Sequence, residues 1–230
     1  MFVAAADDSA VDDAFRSGAD ALCFAAAGES AAALKKMASG IAMLRLRAAP
    51  PLIFTAIADL DDGAIEACLD AIAPLAPDGL TLQDCGNGRA VRRLGALLAV
   101  KEAEAGRPDG STRIIAMAAG TAASISELGT FAQAGQRLIA LAWDAERLAA
   151  GLGVDAYPDH ANAPASAMAL ARNLLLFAAR AANVMALDSL PPGADVECLR
   201  RRCLASRREG FNGGWTRDAK AVAILNDVFA

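Results

Sequence analysis

Short apolar runs alternate with longer amphipathic stretches along the whole chain, and this rhythm predicts the fold. Eight runs read as strands: 2–5, 21–24, 52–57, 79–83, 113–118, 138–143, 184–188 and 211–216. Most are apolar throughout instead of alternating, as expected of parallel strands buried on both faces. Between them lie helix candidates at 8–17, 30–47, 62–73, 87–105, 121–134, 144–150, 166–182, 195–208 and 218–228. Their ends carry physical signals. Ser30 is a candidate N-cap, Lys35, Lys36, Arg45 and Arg47 come late where cations suit the helix dipole, and Gly106, Gly135 and Gly210 are C-terminal stops.

Strict strand–helix alternation points to an α/β fold with a parallel sheet. Eight units in 230 residues leave about 29 residues each, which fits a lean, single-domain (β/α)8 TIM barrel with a closed sheet over 1–230. An open doubly wound sheet is the alternative. The first strand runs on as Val3-Ala4-Ala5-Ala6-Asp7, with no glycine-rich phosphate loop after it, which counts against a dinucleotide fold. The one long irregular stretch, 151–165, carries Tyr157, Pro158, His160 and Pro164. It is expected to drape over the C-terminal mouth of the barrel or to be a passive surface excursion.

Composition narrows the function classes. The chain is 55% hydrophobic and only 5% aromatic, so an aliphatic, alanine-rich core is expected. A net charge of −5 argues against nucleic acid as a partner. The arginines at 200–202 and 207–208 read as a solvated helix surface. Five cysteines, Cys23, Cys68, Cys85, Cys198 and Cys203, form no CxxC pair and suggest reduced thiols and a cytoplasmic protein. No signal peptide and no membrane-length apolar run is evident.

Several segments taken in order resemble one family. Ser17-Gly18-Ala19-Asp20-Ala21, Pro77-Asp78-Gly79-Leu80-Thr81-Leu82, Arg113-Ile114-Ile115-Ala116-Met117, the run 141–153, the run 170–182, Arg208-Glu209-Gly210-Phe211-Asn212-Gly213 and Leu225-Asn226-Asp227-Val228-Phe229 are similar to motifs of the HpcH/HpaI aldolase and citrate lyase β-subunit group. The resemblance spans nearly the whole chain. It implies a TIM barrel with Mg²⁺ at the C-terminal mouth, carbon–carbon lyase chemistry on acyl-CoA thioesters or small organic acids, and assembly into trimers or their multiples. By the same matching, the chain lacks the family's C-terminal extension.

The resemblance also shows what is missing. Enolate chemistry needs a divalent cation or fixed donors at the enolate oxygen, and Mg²⁺ wants hard oxygen ligands. The family's metal carboxylates correspond here to Ala119 and Arg147, and no carboxylate occurs anywhere in 114–123. A one-residue shift would bring Asp144 or Glu146 to the second of these positions. The acidic triplet falls on Ala25, Ala27 and Gly28, the substrate arginine near Phe54 beside Thr55, the lysine on Asp84, and the His-Pro pair on Asp218 and Ala219. No metal site and no cofactor are therefore expected.

Polar groups expected near strand C-termini are Asp84, Asp144, Glu146, Arg147 and Asp188. Together with Thr55 these are the candidates for binding a substrate, and Asp84, Glu146 and Arg147 the candidates for catalysis. Arg147 suits a carboxylate or phosphate; alternatively Glu146 and Arg147 merely solvate a short helix, and Asp188 is structural. His160 lacks a partner acid. Gly86-Asn87-Gly88 reads as an anion-binding turn or a plain one, and Trp143 and Trp215 as pocket walls or filler.

Three readings remain. The first is a lapsed lyase that is structural or binds a metabolite, as partner of an active paralogue or as a homo-oligomer. The second is a metal-independent lyase or aldolase in which Arg147 or Arg217 replaces the cation and Asp84 or Glu146 acts as base. The third is an ordinary family member in a different alignment.

Overall fold

The computed structural model describes residues 2–5, 16–25, 31–58, 62–156 and 166–230. Its strands are β1 (Phe2–Ala5), β2 (Ala21–Ala25), β3 (Leu52–Ile57), β4 (Gly79–Leu82), β5 (Arg113–Ala118), β6 (Leu138–Trp143), β7 (Met185–Ser189) and β8 (Gly213–Thr216). All pair in parallel and in chain order, forming a curled sheet of the TIM-barrel type. The ring returns to its start through a seam of two pairs, Phe2↔Trp215 and Val3↔Thr216, where β2 and β3 share five.

Helices pack outside this sheet: α1 (Ala31–Arg45), α2 (Asp62–Ile72), α3 (Gly88–Glu104), α4 (Ala122–Ser126), α5 (Ala145–Leu152), α6 (Ser166–Ala181), α7 (Val196–Glu209) and α8 (Val222–Phe229). Side-chain alternation along the strands divides the core in two. Ile53, Ile57, Leu80, Leu82, Ile114 and Leu141 face the helices. Cys23, Phe54, Ile115, Met117, Ala142 and Trp215 fill the lumen. The lumen is thus packed, as TIM barrels require. Burial pushes the Cys23 thiol up to about 12, against a weaker opposing hydrogen bond to Thr81, so it is inert filling and no nucleophile.

Expected helix 121–134 is two pieces, α4 and a 3-10 segment Leu128–Gln133. Thr121 and Ser124 close a capping box. Ser126 and Thr130 then hydrogen-bond back to the carbonyls of Ala123 and Glu127, which competes with the helical ladder. The break brings the Thr130 backbone against Gly88, where a Cβ would lie 2.3 Å from the Thr130 oxygen. Expected helix 62–73 ends at Ile72 and tightens into a 3-10 turn that includes Pro74, at a position where a missing N–H costs nothing. Expected helix 8–17 and its neighbour's capping Ser30 lie outside the described residues, apart from Arg16 and Ser17.

Below the barrel, one buried carboxylate ties α3 to the entry of β5. Glu102 accepts from Thr112 N at 2.6 Å, Gly110 N at 2.9 Å and Ser111 Oγ at 3.1 Å, and from Arg137 at 2.7 and 2.9 Å. Burial alone would raise its pKa. The hydrogen bonds from Arg137, Thr112 and Gly110 outweigh burial and hold it down to about 2. A depressed carboxylate stabilises the fold above its unfolded value near 4.5, and that contribution fades as pH falls toward 2. Urea unfolding from pH 6 to pH 2 is expected to show this loss. Glu102→Gln should flatten that part of the profile and cost about 3 kcal/mol at neutral pH.

Candidate functional site

The C-terminal ends of parallel strands converge on one face, and barrel sites are built there from the following loops. Two neighbouring strands leave the sheet through left-handed backbone. Asp84, two residues past β4, has φ 53°, and Ala119, directly after β5, has φ 57°. Aspartate tolerates this region, whereas for alanine it costs about 1 kcal/mol. Backbone strain of this kind concentrates at functional sites. The Cys85 N–H donates to Met117 O at 3.1 Å and ties the two turns together.

The end of β6 is the centre of the polar face. Asp144 caps α5, its Oδ1 accepting from Arg147 N at 3.1 Å. Glu146 and Arg147 follow in the first turn. The glutamate suits the helix dipole there and the arginine opposes it. What holds Arg147 is an ion pair across the mouth, Nη1 to Asp84 Oδ1 at 2.5 Å. Its stem passes over Gly120, where a Cβ would lie 3.3 Å from Arg147 Cδ. From the other side comes Arg217, just past β8. It donates to Glu146 Oε2 at 2.9 Å and Asp144 Oδ2 at 3.2 Å, and its guanidinium stacks on Trp215, 4.6 Å from the ring centroid. Two arginines and three carboxylates therefore bridge the ends of β4, β6 and β8. Arg147 and Glu146 do sit on a short helix and are half-exposed, but each is also engaged across the mouth.

The remaining candidates lie elsewhere. Asp188 is wholly buried in the wall between sheet and helices. It accepts from Trp143 Nε1 at 2.8 Å, Arg172 Nη2 at 2.8 Å, Ser206 Oγ at 2.5 Å and Ser189 N at 2.9 Å. Burial would raise its pKa; the cations Arg202 and Arg172 and these hydrogen bonds outweigh it and hold the carboxyl below its ordinary value. Thr55 alternates with the lumen residues Phe54 and Ala56 and so faces the helix layer, where its hydroxyl is buried with no hydrogen-bond partner among the described residues. Trp143 is on that outer side and Trp215 in the lumen, joined by Trp215 Nε1 donating to the Trp143 carbonyl at 2.8 Å. The turn at 86–88 spends its groups internally: Asn87 accepts from Ala90 N, and Gly88 N donates to Thr130. His160, Ala27 and Gly28 lie outside the described residues.

The arginine stacking platform and the Asp188 network join residues far apart in the chain. A cation placed against a helix dipole, Arg147, was the one local hint of a partner. Among the described residues of the mouth, Ala119 offers a methyl group, Arg147 brings a positive charge, and Asp84, Asp144 and Glu146 are each engaged by an arginine. Among the described residues no three acidic, histidine or cysteine side chains converge to hold a metal.

The sequence profile of the HpcH/HpaI aldolase/citrate lyase family matches residues 1–219. The chain belongs to that family. It is 26% identical over 245 residues to citrate lyase subunit beta of Leuconostoc mesenteroides subsp. cremoris, covering 100% of this chain and 76% of that one. Its fold is similar to RipC from Yersinia pestis, with a TM-score of 0.72 and 20% identity, covering 100% of this chain and 95% of that one. It is also similar to the protein CitE from Mycobacterium tuberculosis in complex with magnesium, acetoacetate and coenzyme A, with a TM-score of 0.70 and 18% identity, covering 99% and 79%. At these identities the two structures speak for the fold alone.

The contrast between the two kinds of ion pair is measurable in this citrate lyase-like chain. Arg147→Ala, at a half-exposed pair, should change unfolding free energy by no more than about 1 kcal/mol. Asp188→Ala strands a buried guanidinium and should cost about 4 kcal/mol. Urea denaturation followed by circular dichroism checks both.

Proposed function

We propose that this chain is a citrate lyase β-like barrel, read as one domain over 1–230, in which magnesium-assisted carbon–carbon cleavage has lapsed and recognition of a small acid or its CoA thioester remains. The observation that carries this reading is the Arg147–Asp84 ion pair at 2.5 Å, occupying a mouth where Ala119 supplies no ligand. A guanidinium there neutralises an anionic guest without a metal, and its planar fork suits a carboxylate. A guest carboxylate would displace Asp84 from Arg147, while Arg217, braced on Trp215, supplies a second cation. Acetoacetate and coenzyme A in the M. tuberculosis protein support this choice of ligand class.

A metal-independent lyase with Asp84 or Glu146 as base is the second reading. Its support is that both carboxylates stand at the mouth beside arginines. Each is held in an ion pair, so proton abstraction requires that pair to open first. A cytoplasmic location accords with five free cysteines. Among the described residues no helix is long and apolar enough to cross a membrane. Self-association, or pairing with an active paralogue, is part of the same proposal.

The decisive experiment combines turnover with binding. Citryl-CoA and malyl-CoA should show no Mg²⁺-dependent cleavage. Acetoacetate should bind equally with Mg²⁺ or EDTA present, and Arg147→Ala should weaken it about tenfold or more, as expected for loss of a charge-assisted contact worth about 1.5–3 kcal/mol. Mg²⁺-dependent turnover overturns the lapse. Turnover in EDTA that Arg147→Ala abolishes establishes the second reading. Failure of both acetoacetate and coenzyme A to bind leaves a structural role.

A further inference from the structure

At the opposite face, beside the N-terminal ends of β4 and β5, the C-terminal parts of α2 and α3 line a cavity of about 210 Å³. Its floor is aliphatic: Leu69, Ile72, Leu80 and Leu98, each 4% exposed or less. Ala105 and Arg107 stand at the rim. The charges around it are mostly accounted for. Lys101 pairs with Asp70 at 2.6 Å and with Glu104 at 3.3 Å, and Glu102 turns inward to Arg137. Arg107 differs. It is half-buried, lines the cavity, and has no side-chain ion pair or hydrogen bond among the described residues. The helix end it follows favours a cation there but leaves its guanidinium donors open.

We propose that this cavity binds a short-chain aliphatic carboxylate, its tail on the leucine and isoleucine floor and its head on Arg107. The chemistry selects this class. The aliphatic floor disfavours a polar tail, because burying polar groups without partners is costly. Of the two lining cations, Lys101 is already paired, so Arg107 selects an anionic head. The volume is below the roughly 300–1,000 Å³ of sites for larger ligands, so the chain is short. The site is remote from the mouth and independent of the function proposed there.

Isothermal titration of the full chain with sodium butanoate, pentanoate and hexanoate tests this, with 1-hexanol as the uncharged control. Affinity should rise about fourfold per added methylene. Hexanol should bind at least tenfold more weakly than hexanoate, and Arg107→Ala should remove that difference. Ala105→Trp, at an exposed rim position, should block all binding with the fold intact by circular dichroism. Arg147→Ala at the mouth should leave hexanoate binding unchanged. The proposal is overturned if no saturable binding occurs, if hexanol matches hexanoate in the unaltered protein, or if binding survives Ala105→Trp or disappears with Arg147→Ala.

Discussion

A negative charge enclosed between sheet and helices sets the terms for half of this barrel. Asp188 has no access to water, so its lone pairs must be met by the protein or the fold bears a penalty of several kcal/mol. Four elements meet that demand: Arg172 from α6, Ser206 from α7, Trp143 from β6 and the backbone of β7 itself. Arg172 in turn pairs with Glu209 and stacks 4.5 Å from the Phe211 ring. The register of β6 against β7, and the seating of two helices on them, are thereby fixed by directional contacts where alanine-rich packing alone would permit sliding.

The mouth is governed by the same requirement under weaker constraint. Apart from the more enclosed Asp144, its carboxylates and arginines stand half in water, so they match one another without being locked. Asp144 illustrates the economy of the arrangement: one oxygen caps α5 and the other meets Arg217. The helix that presents Arg147 is thus started by the residue that also positions the second cation. A metal site would need these oxygens free and convergent. The arginines engage the three described carboxylates instead.

Much of the architecture could be read from the chain because buried parallel strands are written as unbroken apolar runs. Four of the eight were bounded to the residue, 2–5, 52–57, 113–118 and 138–143. Helix ends were legible where a cap was chemically marked, as at Asn87, Asp144 and Asp195. The break in 121–134 was not, because it answers to Gly88, which lies more than thirty residues earlier in the chain and comes close only in the folded state. Asp84, Asp144, Glu146 and Arg147 each follow a strand in the sequence, and they gather at the mouth. Thr55 is at the right height on the wrong side of its strand, a distinction that one residue of alternation decides. Asp188 was open between a ligand-binding and a structural role. The partners that occupy it come from α6 and α7, and no local pattern points to them.

The two-pair seam between β1 and β8 has a bearing on how the molecule comes to exist. It joins the pair of strands most distant along the chain, so its loop-closure entropy is the largest in the sheet, and it offers the fewest contacts in return. Every other neighbour can be in place before it forms. Were that seam to form last, the sheet would be a curled ribbon whose two borders carry unsatisfied backbone groups open to strands of other molecules until they meet. Crowded synthesis of this chain would be most hazardous in that interval, and a chaperone that shields a sheet border would act on it there.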